Sequence, residues 1–244
     1  MTPSTVVVVP CYNEAARLDA AGLLSVLAGP QWSITFVDDG STDSTADVLR
    51  EIAARAPAQI RVVILGRNAG KGEAVRHGMK DAIERGAQQV AYLDADLATP
   101  PVEFARVVAA LDDPEVMVSL GARVALLGSS IERKMTRHYV GRIFASGASL
   151  ALGLPVYDTQ CGAKAFRVCP QLTGALADPF RSRWAFDVEL LGRLLAAGLS
   201  AQNFIEVPLK QWRDVHGSKL RPAAMARAGL DLAMLGWTIR SSKR

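Results

Sequence analysis

Four short segments hold the residue types that can carry chemistry. Asp94-Ala95-Asp96 follows the apolar run Gln89–Leu93. Two carboxylates one residue apart suit a hard cation such as Mg2+ or Mn2+. Such a cation takes one or two protein carboxylates and leaves its other positions to water and phosphate oxygens. Asp38-Asp39-Gly40-Ser41 follows a second apolar run, residues 33–37. Gly40 permits a sharp turn, and Ser41 or Ser44 can cap the next helix. That leaves the Asp39 carboxylate able to accept hydrogen bonds from a base edge or a ribose hydroxyl. Asn68-Ala69-Gly70-Lys71-Gly72 precedes a helical pattern. Its glycines let backbone N–H groups approach an anion, and Lys71 adds a point charge near the helix N-terminus. Neither the Walker A spacing nor Gly-x-Gly-x-x-Gly is present, which argues against a P-loop and a dinucleotide site.

Each of these segments sits where an apolar run ends, and that fixes the elements that must position them. The runs at residues 5–9, 33–37, 60–65, 89–93 and 116–120 read as strands, the first so β-branched that it must be buried on both faces. Between them, residues 13–27, 44–53, 73–85 and 101–111 carry apolar residues at helical spacing. Ser44 with Asp47 looks like a capping box, and Thr99 and Pro100 mark a helix start. Alternation of this kind predicts a mostly parallel sheet with right-handed crossovers, and ligands bind beyond the carboxyl ends of its strands. The second half is less regular. Residues 131–152 are basic and then apolar, 158–167 are polar and Gly-rich, 184–195 and 222–239 read as helices, and 204–207 as a strand.

Composition narrows the class. The chain has 244 residues, half of them hydrophobic and 21% charged, which excludes a disordered protein and fits one domain, 1–244. Residues 1–125 hold the alternating strands and helices, 126–220 the less regular part, and 221–244 an amphipathic helix with a basic tail. The three cysteines, Cys11, Cys161 and Cys169, form neither a disulfide framework nor a zinc pattern, so a reducing compartment is expected. The formal charge of +4 permits an anionic partner without demanding one. Nucleic acid is not expected, because the basic residues are not interleaved with aromatics along a face. No run reaches the roughly 20 apolar residues of a membrane span, and no signal peptide opens the chain. A soluble or peripheral, cytoplasmic protein is therefore expected.

Taken together, Val8-Val9-Pro10-Cys11-Tyr12-Asn13-Glu14, Val37-Asp38-Asp39-Gly40-Ser41, Asn68-Ala69-Gly70-Lys71-Gly72 and Leu93-Asp94-Ala95-Asp96 resemble the nucleotide-binding half of the family 2 inverting glycosyltransferases of GT-A fold. Three later segments resemble the polyprenyl-phosphate glycosyltransferases, most closely the dolichyl-phosphate β-glucosyltransferases. They are Asp158-Thr159-Gln160-Cys161-Gly162-Ala163-Lys164-Ala165-Phe166, Arg183-Trp184-Ala185-Phe186-Asp187-Val188-Glu189, and Trp212 with His216-Gly217-Ser218-Lys219-Leu220. The chain departs from the pattern at Ala163, where an aromatic is usual, and at Ser182, where an acid is common.

The resemblance implies an α/β, Rossmann-like sheet flanked by helices, with 1–125 as the nucleotide-sugar half, 126–220 as the acceptor half, and acceptor-side helices toward the C-terminus. It implies metal-dependent transfer of a hexose, most simply glucose from UDP-glucose, to a dolichyl or undecaprenyl phosphate. A GDP-mannose donor, or a soluble enzyme acting on a glycan, stays open. Pro10, Tyr12, Glu14, Asp39, Lys71, Asp94 and Trp212 would hold the nucleotide-sugar, and Asp94 and Asp96 the Mg2+ or Mn2+. Asp158, Arg123 and Lys219 would serve the reacting centre, and Arg123, Arg133, Arg137 and Lys164 the acceptor phosphate. Residues 131–152 suit an in-plane interfacial helix, cations to the head groups, giving peripheral membrane contact. The helix 222–239 and its basic tail suit such a contact and a core or oligomer interface equally.

Overall fold

In a computed structural model, residues 4–27, 31–132, 135–183 and 185–214 are described, 135–143 by their backbone. The elements run β1 (Thr5–Cys11), α1 (Ala20–Leu24), β2 (Trp32–Asp38), α2 (Thr45–Ala54), β3 (Ile60–Ile64), α3 (Lys71–Glu84), β4 (Gln89–Leu93) and α4 (Pro101–Ala109). There follow β5 (Val118–Ala122), β6 (Ser130–Glu132), α5 (Met135–Leu152), β7 (Ala163–Arg167), α6 (Pro170–Ala175), α7 (Phe186–Ala196), β8 (Phe204–Pro208) and β9 (Gln211–Arg213).

Seven strands form one sheet in the order β3-β2-β1-β4-β7-β5-β8, and β6 pairs with β9 in a small parallel ribbon. All pairings in the large sheet are parallel except those of β7, which runs antiparallel to both β4 and β5. The five strands expected in the first half form, as does the one expected at 204–207, and the mostly parallel sheet is as expected. The strand at 163–167 is new: a short Ala-Lys-Ala-Phe-Arg run carries no apolar signal strong enough to announce it.

Side chains alternate across the sheet. Val6, Val8, Val90, Tyr92 and Phe166 face α3, α5, α6 and α7 in one core layer. Val7, Val9, Ile34, Phe36, Ala91 and Leu93 face α1, α2 and α4 in the other. Helix α3 lies close on β1 and β2 because position 78 is glycine: a Cβ there would come within 2.4 Å of Val8 and 2.9 Å of Val37. That contact sets the depth at which Lys71, the first residue of α3, meets the rim.

Two helix predictions need correction. The helix expected over 13–27 is confined to Ala20–Leu24, because Asn13 sits at φ 52 and the amides of residues 13–15 bond side chains of the β2–α2 loop. The capping box at Ser44 and Asp47 does not form. Asp43 accepts from Thr45 N instead, and Asp47 pairs with Arg50. In α5, Ala145, Ala148 and Leu152 are buried in the core and Leu150 is exposed, so part of this segment's apolar content is core rather than bilayer surface. The side chains of Arg133 and Arg137, together with Lys219 and the helix expected at 222–239, lie outside the described residues. The three cysteines are free.

Candidate active site

The carboxyl ends of β1 and β2 are laced together. Asn13 N donates to Ser41 Oγ at 2.9 Å, its side-chain oxygen accepts from Thr42 N at 2.8 Å, and Glu14 N donates to Thr45 Oγ1 at 2.8 Å. Pro10 is the penultimate residue of β1, and Tyr12, just past its end, is left exposed on this platform. The Glu14 carboxylate clamps Arg17, whose pKa is raised by that hydrogen bond first and, against burial, by the charges of Glu14 and Asp96.

Asp39 is buried, and both its oxygens already work. Ala69 N donates to Oδ1 and Gly70 N to Oδ2, each at 2.8 Å. The carboxylate therefore pins the Asn68–Gly70 loop, which Arg183 grips from the other side through Ala69 O, Asn68 O and Asn68 Oδ1 at 3.1–3.2 Å. The sequence reading placed a base or ribose on Asp39 and gave Arg183 no role. The loop amides expected to meet an anion are instead held by Asp39, and Lys71 is the group delivered to the rim.

At the end of β4, Asp94 N donates to Gly162 O at 2.9 Å. Gly162 leaves the Asp94 carboxylate its room here, since a Cβ would stand 2.1 Å from Asp94 Oδ2. Lys71 Nζ lies 2.5 Å from Asp94 Oδ1, an oxygen that is buried and accepts no hydrogen bond of good geometry. Burial pulls the Lys71 ammonium down, but Asp94, Asp187 and Asp96 outweigh it and its pKa ends raised. Asp96 Oδ1 accepts from Ala98 N at 3.0 Å. Burial, and then the neighbouring Asp94 charge, push the Asp96 carboxyl above its ordinary value. Two crowded carboxylates whose inner oxygen meets only the Lys71 ammonium fit a divalent cation, which would take that oxygen and relieve the repulsion. Among the described residues no third His, Cys, Asp or Glu completes a protein-only metal group. The remaining positions of such a cation would fall to water and phosphate.

Beyond β5, Arg123 meets Asp158 in a bidentate pair, Nε to Oδ2 at 2.6 Å and Nη2 to Oδ1 at 2.8 Å, and Arg123 N also donates to Oδ2 at 3.1 Å. The guanidinium stacks over Trp212 with its carbon 5.2 Å from the ring centroid. Burial would lower the Arg123 pKa, but Asp158 overrides it and raises it. Glu206 of β8 fixes the Asp158 turn by accepting from Tyr157 N and Asp158 N, each at 2.8 Å. Sequence reasoning missed Glu206, although a lone carboxylate in the Phe-Ile-Glu-Val-Pro strand was the available signal.

Lys164 does not join the rim. It lies opposite Tyr92 in the β4–β7 register and is buried. Its ammonium donates to Tyr92 Oη at 2.7 Å and Cys161 O at 2.5 Å and pairs with Asp187 at 2.9 Å. Tyr92 Oη in turn donates to Asp187, and burial, then Asp187, raise the Tyr92 pKa well above its usual range. The expectation that Lys164 binds the acceptor phosphate is thereby corrected: its donors are spent inside the core.

The arrangement is that of a mostly parallel α/β sheet with acidic side chains on the rim beyond its carboxyl ends. The family model for glycosyl transferase family 2 matches residues 6–169, and the chain belongs to that family. Among curated relatives, it is 34% identical to the dolichyl-phosphate β-glucosyltransferase of Drosophila melanogaster, over 94% of this chain and 73% of that one. It is 27% identical to the polyprenol monophosphomannose synthase of Mycolicibacterium smegmatis, over 98% of this chain and 88% of that one. Among solved structures, glucosyl-3-phosphoglycerate synthase from Mycobacterium tuberculosis in complex with UDP superposes with a TM-score of 0.68 at 20% identity, covering 97% of this chain and 79% of that one. The Pyrobaculum calidifontis mannosyltransferase with GDP-mannose and Mn2+ gives 0.59 at 20% identity, covering 99% and 74%. The fold is accordingly GT-A.

Proposed function

We propose that the chain is an inverting, divalent-metal-dependent glucosyltransferase that moves glucose from UDP-glucose to a polyprenyl phosphate. The observation that carries this reading is the rim itself. It places the Asp94–Asp96 carboxylates with Lys71 beyond β4, and the Arg123–Asp158 couple over Trp212 beyond β5. The names of the relatives support the lipid phosphate as acceptor.

A phosphate monoester with a second pKa about 6 is mostly dianionic at neutral pH. Its oxygen can attack the anomeric carbon as the bond to the nucleoside diphosphate breaks, without a strong general base. The protein must then orient the acceptor and stabilise the leaving diphosphate. A cation held by Asp94 and Asp96 would supply Lewis-acid neutralisation of that diphosphate. Lys71, at the start of α3, adds the ammonium and the positive end of the helix. Arg123 turns Nε and Nη2 to Asp158, so the opposite edge of its guanidinium is the one to meet an acceptor phosphate. Asp158 holds that geometry. Arg133, Arg137 and Lys219 remain proposed phosphate contacts on sequence grounds. Asp39 serves the nucleotide by shaping the loop it pins, and Pro10, Tyr12 and Glu14 form the platform beside it.

Peripheral contact with the membrane goes with a lipid acceptor. In support, no helix among the described residues is long and apolar enough to cross a membrane. Leu126 and Leu127 protrude into solvent from a tight turn just after Arg123, closed by Ser129 N donating to Leu126 O at 3.0 Å. The free thiols support a reducing, cytoplasmic side.

One assay tests the reading: a panel of nucleotide-sugars with a short-chain polyprenyl phosphate, with and without Mg2+. UDP-glucose turnover that stops on chelation is expected. Turnover with GDP-mannose alone would give the second reading, which the Mycolicibacterium relative favours. Turnover only with soluble sugar acceptors would remove the lipid phosphate from the reading.

A further inference from the structure

We propose that Lys71 is a displaceable counter-ion, holding the divalent cation's place on Asp94 until a nucleoside diphosphate arrives, so that cation and nucleotide enter together. This rests on the donor-site reading above.

Three observations carry it. The ammonium is 2.5 Å from Asp94 Oδ1, the same buried oxygen that lacks a hydrogen bond and that a cation would claim. Both side chains keep solvent contact, 40% for Lys71 and 32% for Asp94, so the pair can open without unpacking the core. And the described protein ligands amount to two carboxylates, too few to bind a cation tightly without phosphate oxygens.

The physics follows from what the ammonium is left with. A bare cation binding to Asp94 must evict Lys71, whose surroundings are then the Tyr92 ring, 5.7 Å from Nζ, and the charge of Asp187, which Lys164 and Tyr92 already share. Eviction therefore subtracts from cation affinity. A diphosphate changes the exchange. The ammonium trades a carboxylate for a phosphate oxygen, a charge-assisted bond of the same kind. The cation then gains Asp94 and a phosphate ligand at once. Linkage makes the effect reciprocal: the nucleotide tightens the cation by the factor that the cation tightens the nucleotide. Lys164, whose Nζ also lies near the Tyr92 ring at 5.1 Å, marks the contrast. With three partners and no exposure it cannot make such an exchange.

The test titrates Mn2+ into the full chain, with and without UDP, reading free Mn2+ by electron paramagnetic resonance. The proteins are wild type, Lys71→Met, Lys71→Gln and Lys71→Arg, each checked by circular dichroism. With Mn2+ alone, Lys71→Met and Lys71→Gln should bind about tenfold tighter than wild type, inside the usual range of coupling between sites. Lys71→Arg, which keeps the charge, should bind as wild type. The tightening by UDP should shrink by a matching factor in the two neutral variants. The proposal is overturned if UDP recruits Mn2+ to wild type but the neutral variants bind Mn2+ alone no more tightly, or if Lys71→Arg tightens as they do. If UDP recruits Mn2+ to none of the folded proteins, the donor-site reading falls and this one with it.

Discussion

Arg123 meets Asp158 through two guanidinium nitrogens, its own backbone N–H and the face of Trp212, whereas Lys71 meets Asp94 through a single ammonium on a flexible stem. The side chains of the first pair are 13% and 7% exposed, and Glu206 fixes the turn that carries Asp158. Those of the second are 40% and 32% exposed, and one oxygen of Asp94 waits for a better partner. Both pairs stand on one rim and join the same two charge types. Burial and the number of bonds separate a pair built to hold a shape from one built to exchange partners.

The contrast can be broken or sharpened by substitution, and the largest effect belongs to the carboxylates that take the cation. Asp94→Ala and Asp96→Ala should each cost about a hundredfold to a thousandfold in transfer rate, the loss seen when charge stabilisation of a transition state is removed. Retained activity in either would remove that carboxylate from the proposed cation site. Next comes stability. Arg123→Met takes the guanidinium from the buried Asp158 carboxylate, which keeps its backbone N–H partners, at about 3–5 kcal/mol. In a chain this size the melting temperature should fall by about 10 °C. Lys71→Met removes one partner of a half-exposed pair and should cost about 1 kcal/mol or less. Equal losses in a thermal melt would erase the distinction.

Gly162→Ala should be smaller and selective. Its methyl group would displace the Asp94 carboxylate. Cation-supported activity should drop about 10–100-fold, as for a lost supporting contact to a metal ligand. The melting temperature should stay within a few degrees, and a collapse of fold in circular dichroism would contradict this. Glu73 provides the mildest check, on a held pair away from the rim. It accepts from Arg76 Nε and from Phe180 N. Burial pushes its pKa up, but these partners prevail and hold it below the ordinary 4.5. A carboxyl depressed in the folded state contributes stability above its unfolded value and loses it as pH falls through the folded one. Denaturant titrations should show stability declining below about pH 4.5. Glu73→Gln should flatten that decline, and an unchanged slope would show that the pair does not hold.

Much of the rim could be read from the chain, because its chemistry is local. Asp94, Asp39 and Lys71 each sit where an apolar strand ends or a helix begins, and neighbouring residues suffice to place them. What could not be read depends on distant partners. Lys164 looks like a cation available to phosphate until Tyr92 and Asp187, 72 and 23 positions away, consume its donors. Asp39 looks wholly free for a ligand until the amides of residues 69 and 70 take one position on each of its oxygens. The helix predicted at 13–27 failed for a similar reason: side chains of the next loop take the backbone groups that a helix would have used.

Strand β7 has a consequence for the order of assembly. It lies between β4 and β5 but follows both in the chain, so β4 ends synthesis of the first half as an open edge. From Leu93 to Ala163 is 163 − 93 = 70 residues, about 4–14 s of translation at about 5–20 residues per second. Through that interval the strand that leads into Asp94 has backbone groups with no neighbour on one side, the exposed template that invites wrong pairing. When β7 docks, it closes the edge, brings Gly162 against Asp94 and gives β5 its place in one event. A nascent chain halted before residue 163 would therefore carry a nucleotide half with a sticky flank and no finished cation site.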